Sequence, residues 1–555
     1  MHSRGIRRRG VAAATVALAV ALVSASAGGQ PATAGTAHDA IAVTGSSWAA
    51  NAVSQWVADV KASGLRVNFT ATGSAQGRKD FAAAVSDFAI SDIGYQGSDP
   101  KSGEADSSSR PYAYLPIVGG GTAFPYKVLV GGKPVTNLRL SGLTLAKIFT
   151  GAITNWNDDA ITSDNNSRKL PSKPIIPVVH SEGAGSTAQF TRYLATMFPA
   201  IWAPFNKNPS FTEYYPQPKG ITAVYGSDGV MNYINSSSGD GTIGYDEYSY
   251  ALGLGMPVAK IRNQAGYYVL PDQYNDAVAL TQAQINMDKS SKDYLLQTLD
   301  KVYTYSDPRT YPISSYSYAV IPTSAQDQRM TTPKRQTMAD FLFYSVCGGQ
   351  AAIGPIGYSS LPLNLVKASF DQVAKLKQAD PKVDITTQSP ANCNNPTFDK
   401  AHPQLNHLAE IAPRPAACDR QGAGPCGGGG SSGGGTPSGG TPNSSGNPGT
   451  GPAANPGAAG AGGQGGQAGP AAGGGQSTPA KAKTRVNPDT GQVEAASGGS
   501  DPGSGGAAAN PLDLAAATRS GNNTPFAILA VGLLLVALIA PPLLARRLGR
   551  GKDSR

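Results

Sequence analysis

The chain has 555 residues, enough for two or three domains, and carries a formal net charge of +9. That excess sits at the ends: Arg4, Arg7, Arg8 and Arg9 near the start, and Arg546, Arg547, Arg550, Lys552 and Arg555 against Asp553 at the close. The intervening chain is nearly neutral, which excludes a nucleic-acid surface. Its few histidines, His2, His38, His180, His402 and His407, are too scattered for a metal cluster.

Residues 1–27 run from the Arg cluster through the apolar stretch Val11 to Val23 to Ala25-Ser26-Ala27, the pattern of a cleaved secretory signal peptide. The folded part is expected over 38–412. It opens with a strand at Ile41–Val43, a helix at Ala49–Ala62, a strand at Leu65–Phe69 and a helix at Gly77–Val85. Such alternation predicts α/β layers with parallel strands. Gly119-Gly120-Gly121 and Tyr311-Pro312-Ile313-Ser314-Ser315 are extended and marked by glycine or proline, which suits crossings between two lobes.

The apolar run Pro174–Val179 predicts a strand, and Ala188–Leu194 predicts a helix. Between them lies HSEGAGST, residues 180–187. A Gly/Ser loop leading into a helix start presents free N–H groups and a positive dipole end, the ingredients of an anion cradle. This loop holds an acid, Glu182, and neither Arg nor Lys. Tyr214, Tyr215, Tyr245, Tyr248 and Tyr250 are expected to serve packing and the lobe interface.

Cys347, Cys393, Cys418 and Cys426 fit no zinc pattern, and in an oxidising compartment two disulfides are expected. Three pairings are open, the simplest being Cys347–Cys393 with Cys418–Cys426. Residues 421–520 collapse into Gly, Pro, Ala, Ser and Asn, a composition unable to offset its ordering entropy. They predict a disordered stalk with an r.m.s. span of about 50–60 Å. Pro525–Ala545 has 21 residues without a charge, expected to be a transmembrane helix, with 546–555 as a cytoplasmic basic tail. The chain is thus expected at the cell membrane, single-pass, with its ectodomain outside. Catalysis finds no support, because neither a GxSxG elbow nor a P-loop is present.

The ordered set VTGSSWAANAVSQW, ATGSAQGRKDF, DFAISD, LTLAKIFTGAITNWND, VVHSEGAGST, GTIGYDEYSYA, YPISSYSYAVIP and FLFYSVCGGQAAIGPIGYSSLPLNLV spans nearly all of 41–366. In order and content it resembles the periplasmic-type phosphate-binding proteins that feed ABC phosphate transporters. The resemblance implies a two-lobed, type II α/β fold in which the chain crosses twice. Residues 38–122 and 311–412 would form one lobe and 123–310 the other. It also implies a binding protein rather than an enzyme, with no cofactor and no metal. Its ligand would be inorganic phosphate or a related oxyanion, and its partner an ABC permease.

Carried over by position, the ligand shell would be Ser47, Trp48, Ser74, Asp92, His180, Glu182, Gly183, Gly185 and Ser186. An acid in such a shell accepts the proton that phosphate retains at neutral pH, which sulfate lacks. The family pattern Arg-x-Asp-Gly-Ser-Gly-Thr stands here as His180-Ser181-Glu182-Gly183-Ala184-Gly185-Ser186, so arginine has become histidine. His180 is either a ligand contact or a half-buried strand-end residue. With an ordinary pKa near 6.5, it should lose its charge as pH passes about 7–8, where the ligand loses a proton too, and binding should weaken there because Asp92 and Glu182 favour a proton-bearing ligand. Arg78 would supply the missing charge or, as expected here, occupy a solvated helix face. Ser74 would be a ligand contact or a helix N-cap. The other reading of the whole is a surface sensing or interaction protein with this fold and altered ligand binding.

Overall fold

The computed structural model describes residues 37–426 and two short strands, 484–486 and 493–495. Ile41–Gly45 is the first strand; it takes Val67–Ala71 on one side and Phe88–Ser91 on the other, both parallel. Parallel neighbours need a crossover, which helices Ala50–Lys61 and Ser74–Ala82 supply. The first helix buries Ala50, Val53, Trp56 and Val60, three or four residues apart, as an amphipathic stripe. The second lies directly on the sheet. A Cβ on Gly77 would stand 2.5 Å from the Gly45 Cα, so nothing larger fits. This helix begins and ends earlier than the expected Gly77–Val85. Gly73, at φ 90°, turns the chain into it, and Ala84, at φ 54°, turns the chain out.

Two long strands complete this sheet. Tyr112–Ala123 and Ser314–Pro322 pair antiparallel from Tyr112↔Pro322 to Gly121↔Ser314, and the second also borders Phe88–Ser91. Both pass from one core to the other: Val118 and Tyr316 belong to the first, Phe124 and Ile313 to the second. Asp246–Glu247 pairs with Thr122 and Ala123 on the outer edge, giving the sheet six strands. The second lobe is built on a four-stranded sheet. Thr222–Val224, Ile176–His180 and Thr242–Gly244 run parallel, and Tyr126–Lys127 runs antiparallel at the edge. Its core gathers aromatic rings, among them Phe149, Phe190, Tyr215 and Tyr245. The helix after 176–180 is Gly185–Met197, which starts before the expected Ala188 because Gly185-Ser186-Thr187 form its first turn.

Both disulfides are Cys347–Cys393 and Cys418–Cys426, the simplest of the three pairings. The folded part does not end at 412. Helix His407–Ile411 packs Leu408 and Ala409 on Ala277 and Val278, and residues 413–426 then settle on the second lobe. There Gln421 N donates to the Gly266 carbonyl at 2.8 Å, and Asp419 pairs with Lys260 at 2.9 Å. The buried Arg139 guanidinium donates to the carbonyls of Cys418, Arg420 and Ala423. A buried cation needs acceptors, and this small-residue segment brings its backbone close enough to provide them.

Residues 421–426 of the expected stalk therefore belong to the fold; the rest of it, apart from strands 484–486 and 493–495, which pair antiparallel, lies outside the described residues. The expected signal peptide, the transmembrane helix at 525–545 and the basic tail lie outside the described residues. Among the described residues no helix is long and apolar enough to cross a membrane.

Ending the chain at Ala412 instead of Cys426 should strip the acceptors from Arg139 and Asp419 from Lys260. A loss of about 3–5 kcal/mol is expected, the usual cost of breaking a buried charged pair. Urea unfolding of the two lengths measures it; equal midpoints would show that 413–426 only rests on the surface.

Candidate functional site

The lobes meet through hydrogen bonds that converge on a few residues. Ala75 N donates to the Gly183 carbonyl at 3.2 Å. Gln189 Nε2 donates to the Asp92 carbonyl at 2.7 Å, and the Tyr250 hydroxyl to the Ser47 carbonyl at 2.7 Å. The Ser227 hydroxyl bonds Ser47 Oγ at 2.9 Å. The segments around 47, 74, 92 and 180–186, distant in sequence, thus share one junction.

Asp92, the residue after strand Phe88–Ser91, is buried. Ser46 Oγ donates to both carboxylate oxygens, at 2.9 and 2.8 Å, and Ser74 Oγ reaches Oδ2 at 3.1 Å. The Ser74 oxygen also accepts from Asp92 N, so Ser74 acts as a clamp, while Gly73 holds the N-cap position. Burial raises the Asp92 pKa above the usual carboxylate range, against the opposing pull of these hydroxyls. Oδ2 faces the first turn of helix Gly185–Met197. A Cβ on Gly185 would lie 1.8 Å from it, so only glycine admits the approach. The first N–H groups of that helix have no carbonyl a turn earlier, and Ser186 Oγ is buried without a partner. A negative group thus lies against unused donors.

His180 closes strand 176–180 and is wholly buried, not half-buried as a strand end would be. Its Nδ1 meets Glu182 Oε1 at 2.8 Å, and its Nε2 lies 3.4 Å from Asp246 Oδ2. Glu182 Oε1 accepts also from Gly226 N at 3.1 Å. Burial alone would lower the imidazole pKa, but Asp246 and then Glu182 outweigh it and push it up to about 10. The expected loss of charge at pH 7–8 is therefore corrected. The histidine retains a cation through neutrality because two acids flank it. The same pairing lowers Glu182, against its burial.

Arg78 does not occupy a solvated face. It is fully buried, with Nε 3.0 Å and Nη2 2.7 Å from the two oxygens of Asp106, Nη1 3.1 Å from Ser91 Oγ, and Nη2 2.6 Å from Glu213 Oε1. Burial opposes its charge, but Glu213 and Asp106 outweigh it and hold its pKa above the ordinary arginine value. Its fork is spent on tying a first-lobe hairpin to a second-lobe loop. The Trp48 ring is packed in the first core, edge-on to Tyr358 at 5.9 Å and against Gly120. The Trp48 carbonyl accepts from the hydroxyl of the same tyrosine at 2.7 Å. Tyr215, Tyr245, Tyr248 and Tyr250 are buried, as expected of packing and interface residues, while Tyr214 reaches across to Asp99 at 2.6 Å.

The structure gathers Ser47, Ser74, Asp92, His180, Glu182, Gly183, Gly185 and Ser186 at this junction, and leaves the Trp48 side chain out. Sequence reasoning missed Ser46, Ser227 and Asp246. Asp246 stands inside the GTIGYDEYSYA motif, but nothing in that string signals that it faces His180.

The raised His180 pKa has a sign. The folded value lies above the ordinary 6.5, so His180 contributes stability that is complete below about pH 6.5 and lost as pH rises through about 10. The slope is at most about 1.4 kcal/mol per pH unit. Comparing urea midpoints of wild type and His180→Gln across that window should show this component in the first and not in the second. Parallel profiles would mean that His180 is neutral in the fold.

Residues 30–348 match the PBP superfamily domain. The chain is 30% identical over 329 residues to the phosphate-binding protein PstS of Xylella fastidiosa, covering 59% of this chain and 83% of that one. It is 31% identical over 334 residues to phosphate-binding protein PstS 2 of Mycobacterium tuberculosis, covering 58% and 82%. A solved high affinity periplasmic phosphate-binding protein (PfluDING) aligns at 21% identity and TM-score 0.46, over 64% of this chain and 98% of that one. By the superfamily match over more than half its length and by its PstS relatives, the chain belongs to the PBP superfamily and, within it, to the family of PstS phosphate-binding proteins.

Proposed function

We infer that this chain captures inorganic phosphate between its lobes for delivery to an ABC-type permease. The observation that carries the reading is the Asp92 carboxylate, held by Ser46 and Ser74, lying against the first turn of helix Gly185–Met197 across the lobe junction. Helix N–H groups and the hydroxyls of Ser47 and Ser186 supply donors without net charge, as suits a dehydrated oxyanion, while Ser74 spends its own hydrogen on holding Asp92 in place. Asp92 accepts the hydrogen of a P–OH group. Sulfate brings only lone pairs to that oxygen and is refused.

The imidazolium of His180 stands where the family motif has arginine, and Glu182 orients it as the motif's aspartate would orient a guanidinium. The task is binding rather than catalysis, since no nucleophile is activated among these groups. Export and tethering through the basic-flanked apolar segment at 525–545 belong to the same proposal. A long Gly-rich spacer would let a tethered receptor reach its permease.

Calorimetry on the full chain should give heat with phosphate and arsenate and none with sulfate. Ser74→Ala should weaken phosphate by about 10–100-fold, the worth of the hydrogen bond that holds the Asp92 carboxylate. Asp92→Asn should admit sulfate, because an amide can donate where the carboxylate repelled. Absence of phosphate binding, or wild-type binding of sulfate as tight as phosphate, overturns the reading.

A further inference from the structure

The two edges of the His180 ring are not used alike. Nδ1 makes a good hydrogen bond to Glu182, whereas Nε2 stands 3.4 Å from Asp246 Oδ2, an ion-pair distance beyond the usual range of an N–H···O hydrogen bond. A donor and an acceptor, both fully buried, therefore stand side by side, each without a hydrogen-bond partner. Buried polar atoms in that state call for an explanation.

Asp246 is held as firmly as Asp92. Its Oδ1 accepts from Ser227 Oγ at 2.9 Å and from Glu247 N at 2.8 Å, and Ser227 is bonded to Ser47. Ser46, one residue earlier, holds Asp92 directly. Two successive serines after the first strand thus lead to two buried carboxylates, which points both acids at one locus. The ionisable groups around Asp246 are His180 on strand 176–180, Glu182 beyond it, Asp92 across the junction, Glu247 beside it, and the phenols of Tyr245 and Tyr250. Asp228 lies exposed on the helix that carries Ser227. Among these groups His180 is the only cation. Such a setting compensates a dianion poorly.

The geometry points to Asp246 as a second proton-accepting wall of the oxyanion site, selecting the monoanion with two acidic hydrogens over the dianion with one. One P–OH donates to Asp92 and the other to Asp246 Oδ2, while His180 Nε2–H donates to a neighbouring oxygen. The assignment rests on the phosphate reading above and adds to it the protonation state of the ligand. Asp92 alone would be satisfied by the dianion's single hydrogen. A second wall requires another.

The test is calorimetry of the full chain with inorganic phosphate from about pH 6 to 9, in buffers of differing ionisation enthalpy, which reports protons taken up on binding. Wild type should lose about tenfold in affinity per pH unit on the alkaline side of neutrality, with about one proton taken up per phosphate bound there. His180 keeps its proton over most of that range. Because Asp246 also holds His180 charged, the variant is read in a His180→Arg background, whose cation keeps its proton throughout. There Asp246→Asn, whose amide can donate to the dianion, should flatten the slope to under about twofold per unit and abolish the uptake. If that variant does not fold, proton uptake by the wild type decides alone. Flat wild-type affinity without uptake sinks the assignment and leaves phosphate capture standing, and so does a variant with the wild-type slope. No phosphate binding at any pH removes both.

Discussion

The junction is governed by the difficulty of keeping carboxylates inside a protein. Asp92, Asp246, Asp106 and Glu213 are all essentially buried, and among the described residues the buried cations that face them are Arg78 and His180. An unpaired buried charge is expensive, so each acid must be met by a donor. Arg78 answers two of them with its planar fork and thereby ties the lobes together. His180 answers Glu182 and leans toward Asp246. Asp92 has no cation at all and depends on hydroxyls, with helix N–H groups nearby. Site and latch are one electrostatic problem solved in two ways, by ion pairing where the lobes are fastened and by dipoles where a ligand is to be admitted.

The same economy shows in the connections. The two long crossing strands are paired along their length, with one register shift at Ser317/Tyr318, so they bend as a unit rather than independently. A third passage, from helix Leu363–Ala379 through His407–Ile411 to Cys426, reaches the second lobe; the Cys347–Cys393 disulfide ties it to the first lobe, and Cys418–Cys426 closes a small loop at its far end. Arg139 anchors its far end through carbonyls, the kind of acceptor a small-residue segment has in quantity. Any lobe movement must work against this strap as well as against the crossing strands.

What the sequence disclosed follows from range. Ile41–Gly45, Ala50–Lys61 and Gly185–Met197 declare themselves through apolar periodicity and glycine punctuation, because local geometry dictates those patterns. Arg78 was misjudged because its partners Asp106 and Glu213 lie 28 and 135 residues away, and helical position alone says nothing of them. Residues 413–426 have a linker's composition, and only the buried Arg139 makes them part of the fold. Trp48 occupies a position carried over from the family motif, but the motif does not say that a large ring turns inward to Tyr358.

The exchange of arginine for histidine changes the physics of the site more than its charge. A guanidinium has five donors and can engage a carboxylate with one edge while keeping others for a ligand. An imidazolium has two, set on opposite sides of a flat ring. Here Nδ1 is committed to Glu182, so a single donor remains, and it points toward another acid. A dianionic ligand would meet one donor and one repulsive oxygen at that edge. A ligand hydrogen directed at Asp246 turns the repulsion into a hydrogen bond and leaves the imidazolium free to donate. The loss of three donors on one side chain is thereby offset by hydrogens carried in on the ligand, and selectivity passes from the charge of the site to the protonation of what it binds.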